Sequence, residues 1–389
     1  MDSNSLISII SLIAVFVSVL LSFFLLTVPS ERKLGNVLLA GFILLNAIDL
    51  SAWFIYGFTL KHPDVEIFRR STSWLINPVF YLYALSICFS DFRLKAKHLL
   101  HVLPFIVYNL VMLPKVYLAD FTAKTFFIEH YGDGPASKLM LLAGHLQFTG
   151  YFIGVFLILR KYRKIYLENY ADSRTITYKW LFQLTVVITV VHSIVTLKDI
   201  LRFIVSTDIF NGAQIIVGIN AVFILCWFVL KALYYPDLFR GINSKIQPAD
   251  DLVLEDPLIS KLGKGVLSLQ DQEDIQRIRD YMVQKEPYLE PALTIQDLAD
   301  QINMPVKDLS ILINNHLDQH FFDFVNAYRI EKAMKILRDP ARTKLTILEI
   351  LYEIGFNSKS SFNTSFKKQT DLTPTEYRKK YTKQSGYTG

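Results

Sequence analysis

The stretch LTILEILYEIGFNSKSSFNTSFKKQTDLTPTEYR, residues 345–378, decides the fold of the carboxyl-terminal part of the chain. Thr346, followed three residues later by Glu349, predicts a capping box at the start of a helix. Apolar residues then recur with helical spacing on one face, at Ile347, Ile350, Leu351 and Ile354. Gly355 predicts the end of this first helix.

A second short helix is predicted directly after the turn. Ser358 is a suitable N-cap residue, and Phe362 and Phe366 fall on one face of the helix that follows. The outward face is polar and comprises Lys359, Ser360, Asn363, Thr364, Lys367 and Lys368. Two short helices around a glycine-containing turn predict a helix-turn-helix over residues 346–369, whose second helix normally enters a DNA major groove.

The same pattern occurs earlier in the chain. Ile295, Leu298, Ala299 and Ile302 repeat the apolar spacing, and Asn303-Met304-Pro305 is the predicted turn. Another helix-turn-helix, the first in chain order, is therefore predicted over residues 294–317, with Lys307, Ser310 and Asn314 on the outward side of its second helix. One long amphipathic helix, spanning about 25 Å, is predicted between the two copies.

The last third of the chain resembles the AraC/XylS family of bacterial transcription regulators. The resemblance rests on Gly355-Phe356, Ser360, Phe362, the run 366–368 and the run 373–378. The chain departs from the family pattern at Leu351, where alanine is usual, and at Asp371, where glycine is usual. Family membership implies a domain that binds specific double-stranded DNA.

We expect base contacts from the outward residues of both second helices, namely Lys307, Ser310, Asn314, Lys359, Ser360, Asn363 and Thr364. Lysine can donate to guanine, and asparagine can pair bidentately with adenine. Phosphate contacts are expected from Lys367, Lys368 and Arg378.

Charge separates the two copies. Residues 329–389 contain thirteen basic and six acidic residues, whereas residues 271–328 contain four basic and eleven acidic ones. The second helix-turn-helix should therefore contribute more of any nonspecific attraction to phosphate than the first.

Composition sets the amino-terminal half apart. The chain has 52% hydrophobic residues, 14% aromatic residues and a mean hydropathy of +0.31, which is too apolar for an ordinary soluble protein. Residues 1–237 are predicted to be a transmembrane sensor domain of seven spans, of which the one at residues 98–113 is the weakest. The spans are predicted at residues 6–28, 34–60, 74–90, 98–113, 139–159, 178–200 and 213–234, with loops between them. Residues 1–5 carry no basic residue, and no signal-peptide cleavage site is predicted.

Loop charges predict the orientation of these spans. With the amino terminus outside, the inner loops hold eleven basic residues and the outer loops six. Seven spans then place the carboxyl-terminal domain, residues 271–389, in the cytoplasm. The expected location is the bacterial inner membrane. The polar, Gly- and Pro-containing residues 238–270 are predicted to be a linker.

Three ionisable residues deep within the predicted spans, Asp49, His145 and His192, are candidates for sensing an unknown signal or ligand. Interhelical hydrogen bonding is the alternative interpretation of each. Cys88 and Cys226 are interpreted as small core residues. The helix predicted at residues 271–285 is expected to pack against its own domain; a homodimer contact is the alternative.

The sequence contains no Walker loop, nucleophile elbow, HExxH motif or Cys/His zinc spacing, so it predicts neither an enzyme nor a cofactor. The leading hypothesis is an all-α, membrane-bound, one-component transcription regulator. Signal transmission through the tethered domain and proteolytic release at the linker are both open. One alternative is a membrane receptor whose helical domain binds cytoplasmic proteins instead of DNA; a transporter with a regulatory tail is a further one.

Overall fold

Every regular element in the described residues is helical, apart from an isolated antiparallel bridge between Tyr170 and Thr294. The computed structural model describes residues 3–28, 33–130, 134–171, 176–201 and 268–384, with several single positions between 212 and 227. The predicted all-α class is confirmed. The predicted linker, 238–270, lies almost wholly outside the described residues.

The chain divides into two compact units. The first comprises Met1–Arg160 and Lys179–Gly241, and the second comprises Lys161–Tyr178 and Ile242–Gly389. The second unit thus includes a segment that the sequence analysis placed in a loop between two spans.

The first unit is built from apolar helices in its described part. Its helices are α1 (Ser3–Thr27), α2 (Lys33–Leu50), α3 (Ala52–Thr59), α4 (Pro63–Thr72), α5 (Ile76–Cys88), α6 (Leu103–Met112), α7 (Phe121–Glu129), α8 (Pro135–Asn169) and α9 (Ile176–Leu201). Helix α8 continues into the second unit from Lys161 onward.

Four of these helices are long and apolar enough to cross a membrane: Ile7–Thr27, Lys33–Leu50, Pro135–Asn169 and Lys179–Leu201. The predicted spans at 74–90 and 98–113 form α5, with 13 residues, and α6, with 10 residues, preceded by a 3-10 turn. The predicted span at 213–234 falls largely outside the described residues. Seven spans therefore remain a prediction.

Helix α1 carries small residues on its buried face and large apolar residues on its exposed face. Its buried face carries Ser11, Ala14, Ser18 and Ser22, and the Ser22 hydroxyl donates to the Ala40 carbonyl of α2. Many of its large apolar side chains face outward, with Phe23 67% exposed, whereas Ile7 and Leu21 are buried. Small residues at the helix contact allow the two helices to approach closely.

The second unit contains seven further helices in its described residues. They are α10 (Leu269–Lys285), α11 (Ile295–Gln301), α12 (Val306–Ile311), α13 (Phe321–Arg338), α14 (Ile347–Glu353), α15 (Lys359–Thr370) and α16 (Pro374–Gln384). Helix α12 continues into a π-helical turn over Leu312–His316. The predicted long connecting helix is α13, with 18 residues.

Capping boxes begin four helices of this unit. Thr346 accepts a hydrogen bond from the Glu349 N–H at 3.1 Å, and Glu349 accepts from the Thr346 N–H at 2.7 Å, as predicted. These hydrogen bonds from Thr346 lower the pKa of Glu349. Equivalent boxes start α10, α11 and α16, at Ser268/Asp271, Thr294/Asp297 and Thr373/Glu376.

Two apolar cores lie along α13. Its first half packs Phe321, Phe324 and Val325 with the first helix-turn-helix, whereas its second half contributes to the core that contains Phe362 and Phe366. One helix thus supports both motifs, because each half supplies the apolar face that a short helix pair needs.

Candidate nucleic-acid interface

The second helix-turn-helix is formed by α14, a tight turn and α15. Gly355 has a φ of 85°, and the Phe356 N–H donates to the Leu351 carbonyl at 3.0 Å. Ser358 caps α15 by accepting from the Ser361 N–H, and Asp371 ends it in the left-handed conformation, with a φ of 58°. The two helices of this motif thus run from the Thr346 cap to the Asp371 cap, and the predicted range was 346–369.

Helix α15 presents one polar face. Phe362 and Phe366 are fully buried, whereas Lys359, Ser360, Thr364, Lys367 and Lys368 are exposed and Asn363 is half-buried. The Asn363 amide makes no hydrogen bond to another described residue, and the Thr364 hydroxyl donates to the Ser360 carbonyl. The face therefore carries donors and acceptors suited to base edges.

The first helix-turn-helix presents less of its predicted polar face. Lys307 is exposed, but Ser310 is only 5% exposed, so the prediction that Ser310 faces outward is wrong. The physical reason is Asn314, whose amide nitrogen donates to the hydroxyl and carbonyl oxygens of Ser310 at 3.1 and 3.0 Å.

Asn314 itself is held inside the domain. Its side-chain oxygen accepts from the N–H of Phe321, the first residue of α13, at 3.1 Å. Asn314 thus satisfies an N–H at the start of the connecting helix that would otherwise lack a partner within the helix. Of the three predicted base contacts in this motif, Lys307 alone is exposed.

The expected phosphate contacts differ in their surroundings. Lys367 is exposed near the end of α15, and Arg378 is half-buried on α16. Lys368 is exposed and forms an ion pair with Asp323 of α13 at 2.8 Å. Asp323 therefore competes with any phosphate for the Lys368 ammonium group.

The variant Asp323→Asn should strengthen binding to all DNA duplexes by a similar, small factor. Removing this carboxylate frees Lys368, and each added phosphate contact steepens the dependence of log K on log salt by about 0.9. Fluorescence anisotropy at several salt concentrations measures both quantities, with Lys368→Ala as the opposite control. A change confined to some duplex sequences would contradict a phosphate role.

Arg329 of α13 organises the centre of the second unit. This side chain is 1% exposed, and its guanidinium donates to the carbonyls of Tyr288 at 2.6 Å, Glu290 at 2.7 Å and Ala171 at 3.1 Å. It also lies 5.5 Å from the ring centre of Phe356 in the second motif. Sequence reasoning counted Arg329 only as a charge, although its position four residues after buried Val325 and four before buried Ala333 indicated an inward face.

His320 precedes α13 beside a cluster of charges. Burial lowers its pKa; Lys164, Lys368 and Arg163 act in the same direction, and Asp323 opposes them. Protonation below its ordinary pKa of about 6.5 therefore opposes folding around this residue.

In the first unit, the structure brings two of the three sensing candidates together. His145 Nδ1 of α8 lies 3.1 Å from His192 Nε2 of α9, and Thr196 Oγ1 lies 3.1 Å from the same His145 nitrogen. His145 Nε2 is 3.4 Å from the carboxylate of Asp199, which also pairs with Lys198 at 2.8 Å. These residues form a polar cluster between α8 and α9.

The third candidate, Asp49, belongs to a different group. Its carboxylate lies 3.4 Å from Arg69, which forms two 2.8 Å hydrogen bonds to Glu66. Arg70 also donates to Glu66. Sequence reasoning missed Glu66, although its spacing of three and four residues from the two arginines on one helix was a visible signal.

Comparisons with known proteins concern the carboxyl-terminal domain. A family model described as "Helix-turn-helix domain" matches residues 298–380. The match agrees with the resemblance predicted for this part of the chain and does not cover the apolar half. No solved structure matches the chain.

Several bacterial regulators are similar to part of the chain. The chain is 32% identical to the "HTH-type transcriptional regulator CdhR" of Pseudomonas aeruginosa over 93 residues, which cover 24% of this chain and 27% of that protein. It is 26% identical to the "HTH-type transcriptional regulator AlkR" of Acinetobacter baylyi over 91 residues, covering 23% and 29% respectively. The chain therefore matches less than a third of the length of either relative.

Proposed function

We propose that this protein is a membrane-bound transcription regulator that binds specific DNA through its carboxyl-terminal helix-turn-helix domain in response to a membrane or extracytoplasmic signal. The polar face of α15 is the observation that carries this proposal. It combines unengaged Asn363 with exposed Lys359, Ser360 and Thr364 on a helix that is firmly anchored by Phe362 and Phe366. The helix-turn-helix family match over residues 298–380 and the similarity to bacterial regulators support the assignment.

The two motifs should contribute unequally. Helix α15 lies in the basic part of the chain and presents Lys359, Ser360, Asn363 and Thr364 for base readout, with Lys367, Lys368 and Arg378 for phosphate. The first motif offers Lys307, within an acidic segment. We therefore infer that the second motif supplies most of the sequence preference and the first mainly fixes orientation.

Asn363→Ala should change the preferred base at one position of the bound sequence, because asparagine pairs bidentately with adenine and each such pair contributes about 1–3 kcal/mol of discrimination. Asn314→Ala is the matched control, since it should lower stability by about 1 kcal/mol by removing the cap on α13 while leaving base preference unchanged. Selection of bound duplexes with each full-length variant measures the preference. Identical motifs from wild type and Asn363→Ala would refute base readout by this residue.

The membrane assignment rests on the apolar half. Four described helices are of spanning length and composition, and α1 directs large apolar side chains outward. The excess of basic residues in alternate loops supports a cytoplasmic DNA-binding domain in the inner membrane of a bacterium. Two tethered copies pairing on DNA would add avidity, so a homodimer is part of this proposal.

The histidine cluster between α8 and α9 is the proposed sensor. Its hydrogen bonds join two helices, so a bound proton or ligand at His145 or His192 would change how these helices are held. Asp49 is less suited, because it already faces Arg69.

His192→Phe should alter signal-dependent output, since phenylalanine preserves stacking on Phe148 while removing the hydrogen bond to His145. Ser193→Ala, one residue further along α9, is the control. A reporter gene behind a selected operator measures output in cells. If the output of His192→Phe responded to growth conditions in the same way as the output of wild type, this cluster would be excluded as the sensor.

A competing function is a receptor that binds cytoplasmic proteins through the same helices. The exposed pair Leu348 and Tyr352 on α14 favours a protein contact at that face. Such a contact is compatible with DNA binding by α15, because the two faces involve different helices of the motif.

A further inference from the structure

The end of α8 and the residues after it are built into the first helix-turn-helix. Ala171 is 1% exposed and belongs to the same apolar core as Leu293, Leu298 and Phe321. Lys161–Tyr178 and the carboxyl-terminal residues form one compact unit. Sequence patterns treated this segment as a loop between spans, and no feature of the proposed function explains why it is buried here.

Two backbone hydrogen bonds hold the segment, one of which is part of an antiparallel bridge. The Ala171 N–H donates to the Leu293 carbonyl at 3.1 Å, and the Ala171 carbonyl accepts from Arg329 Nη1, also at 3.1 Å. Tyr170 forms an antiparallel bridge with Thr294, the N-cap residue of α11. Both the N–H and the carbonyl of Ala171 are thus hydrogen-bonded to the carboxyl-terminal domain, as expected for backbone that is buried in a specific contact.

The segment touches the residues that connect the two motifs. Arg329 joins the Ala171 carbonyl to the carbonyls of Tyr288 and Glu290 and approaches Phe356 of the second motif. The backbone at Tyr288 and Leu289 in turn lies directly against Gly355. Releasing Ala171 would therefore remove one of the carbonyl partners that hold Arg329 between the two motifs.

We propose that Tyr170–Ala171 is a positioning segment through which α8 controls the DNA affinity of the helix-turn-helix domain. This inference rests on the proposed function. When the segment is docked, it fixes Arg329 and the start of α11, so both motifs are already arranged for DNA. When a signal displaces α8, the docking is lost. Arg329 and the start of α11 must then become ordered when DNA binds, and the entropy lost in that ordering lowers the affinity for DNA.

A reversible cross-link tests the proposal. Tyr170 and Thr294 are directly opposed in an antiparallel bridge, where Cα atoms are about 4.5–5.5 Å apart, within the range of disulfides. The double variant Tyr170→Cys/Thr294→Cys should therefore form an intramolecular disulfide in the full-length protein under mild oxidation. Each single variant, treated identically, is the control for other thiol reactions, including those of Cys88.

The oxidised double variant should bind a duplex selected from a random pool at least about fivefold more tightly than the same sample after reduction. Comparing two redox states of one variant cancels the loss of the Thr294 cap. A second variant, Ala171→Glu, should weaken binding of the same duplex, whereas Lys161→Ala, on the exposed side of α8, should not.

The outcomes are separable. Absence of the disulfide in correctly inserted protein would overturn the docking. A disulfide with equal or weaker DNA binding in the oxidised state would overturn the positioning role while leaving the docking in place. Absence of DNA binding in both redox states and in the wild type would instead overturn the proposed function, and the regulatory role with it.

Discussion

Gly355→Ala should destabilise the second helix-turn-helix by about 3 kcal/mol or more, the largest effect expected from any single methyl group in this domain. Two causes add. The φ of 85° disfavours any residue with a side chain. A Cβ would also stand 2.7 Å from the carbonyl oxygens of both Tyr288 and Leu289, and backbone atoms cannot move aside as a flexible side chain would.

Asn303→Ala is the matched control for this prediction. Asn303 occupies the equivalent turn of the first motif, with a φ of 52°, and the Met304 N–H donates to the Ala299 carbonyl as the Phe356 N–H does to Leu351. Asn303→Ala should lower the free energy of unfolding by only about 1–2 kcal/mol, the cost of placing alanine in the left-handed backbone conformation. Hydrogen exchange of peptides from residues 269–384 in the full-length protein measures both variants. Equal protection in the two variants would show that the Tyr288–Leu289 contact is unimportant.

Arg329→Met should cost about 3 kcal/mol in the stability of the second unit, because buried carbonyls lose their donor and each unsatisfied buried group costs about 1–3 kcal/mol. Arg329→Lys should be nearly as harmful, since a lysine ammonium cannot reproduce the planar fork that reaches three carbonyls. The loss should appear in peptides from both motifs, because Arg329 lies between them.

Lys332→Met on the same helix provides the comparison for Arg329. Lys332 forms a solvent-accessible ion pair with Glu286 at 2.7 Å, and exposed pairs contribute about 0–1 kcal/mol. Thermal unfolding in detergent, followed with hydrogen exchange, distinguishes the two variants. A similar small loss for Arg329→Met and Lys332→Met would contradict the central role of Arg329.

Local signals predicted the carboxyl-terminal domain well. Capping pairs such as Thr346/Glu349, the glycine at the turn and the apolar spacing all act within a few residues, so their structural meaning does not depend on the rest of the fold. For the same reason the inward positions of Phe362 and Phe366 were predicted correctly. The repeat of the pattern identified the first motif without any other information.

Predictions failed where a side chain had a tertiary partner. Ser310 looks like an outward polar residue by periodicity, but Asn314 folds back over it in order to reach the start of α13. The turn before α12 is also one residue shorter than the turn before α15, so the two recognition helices are not in the same register. The outward assignment of Ser310 came from the apolar spacing of Leu309, Leu312 and Ile313, which carries no information about the contact with Asn314.

Long-range contacts were invisible for a similar reason. Ala171 and Arg329 are 158 residues apart, and nothing in the local sequence of either indicates the other. The histidine cluster was predictable only in part. His145 and His192 were selected because they lie deep within apolar segments, but their mutual contact depends on how α8 and α9 pack. Burial of Glu66 beside Arg69 likewise depends on neighbouring helices that periodicity alone does not place.

The most direct test of the central claim is selection of duplexes from a random DNA pool by the purified full-length protein, followed by binding measurements at two salt concentrations. We predict an enriched motif, binding that weakens as salt rises, and a change in the preferred base at one position of that motif in Asn363→Ala. A second enriched block about one helical turn away would show that the first motif also engages DNA. No enrichment, together with salt-independent or absent binding, would contradict the assignment of α15 as a DNA-reading helix.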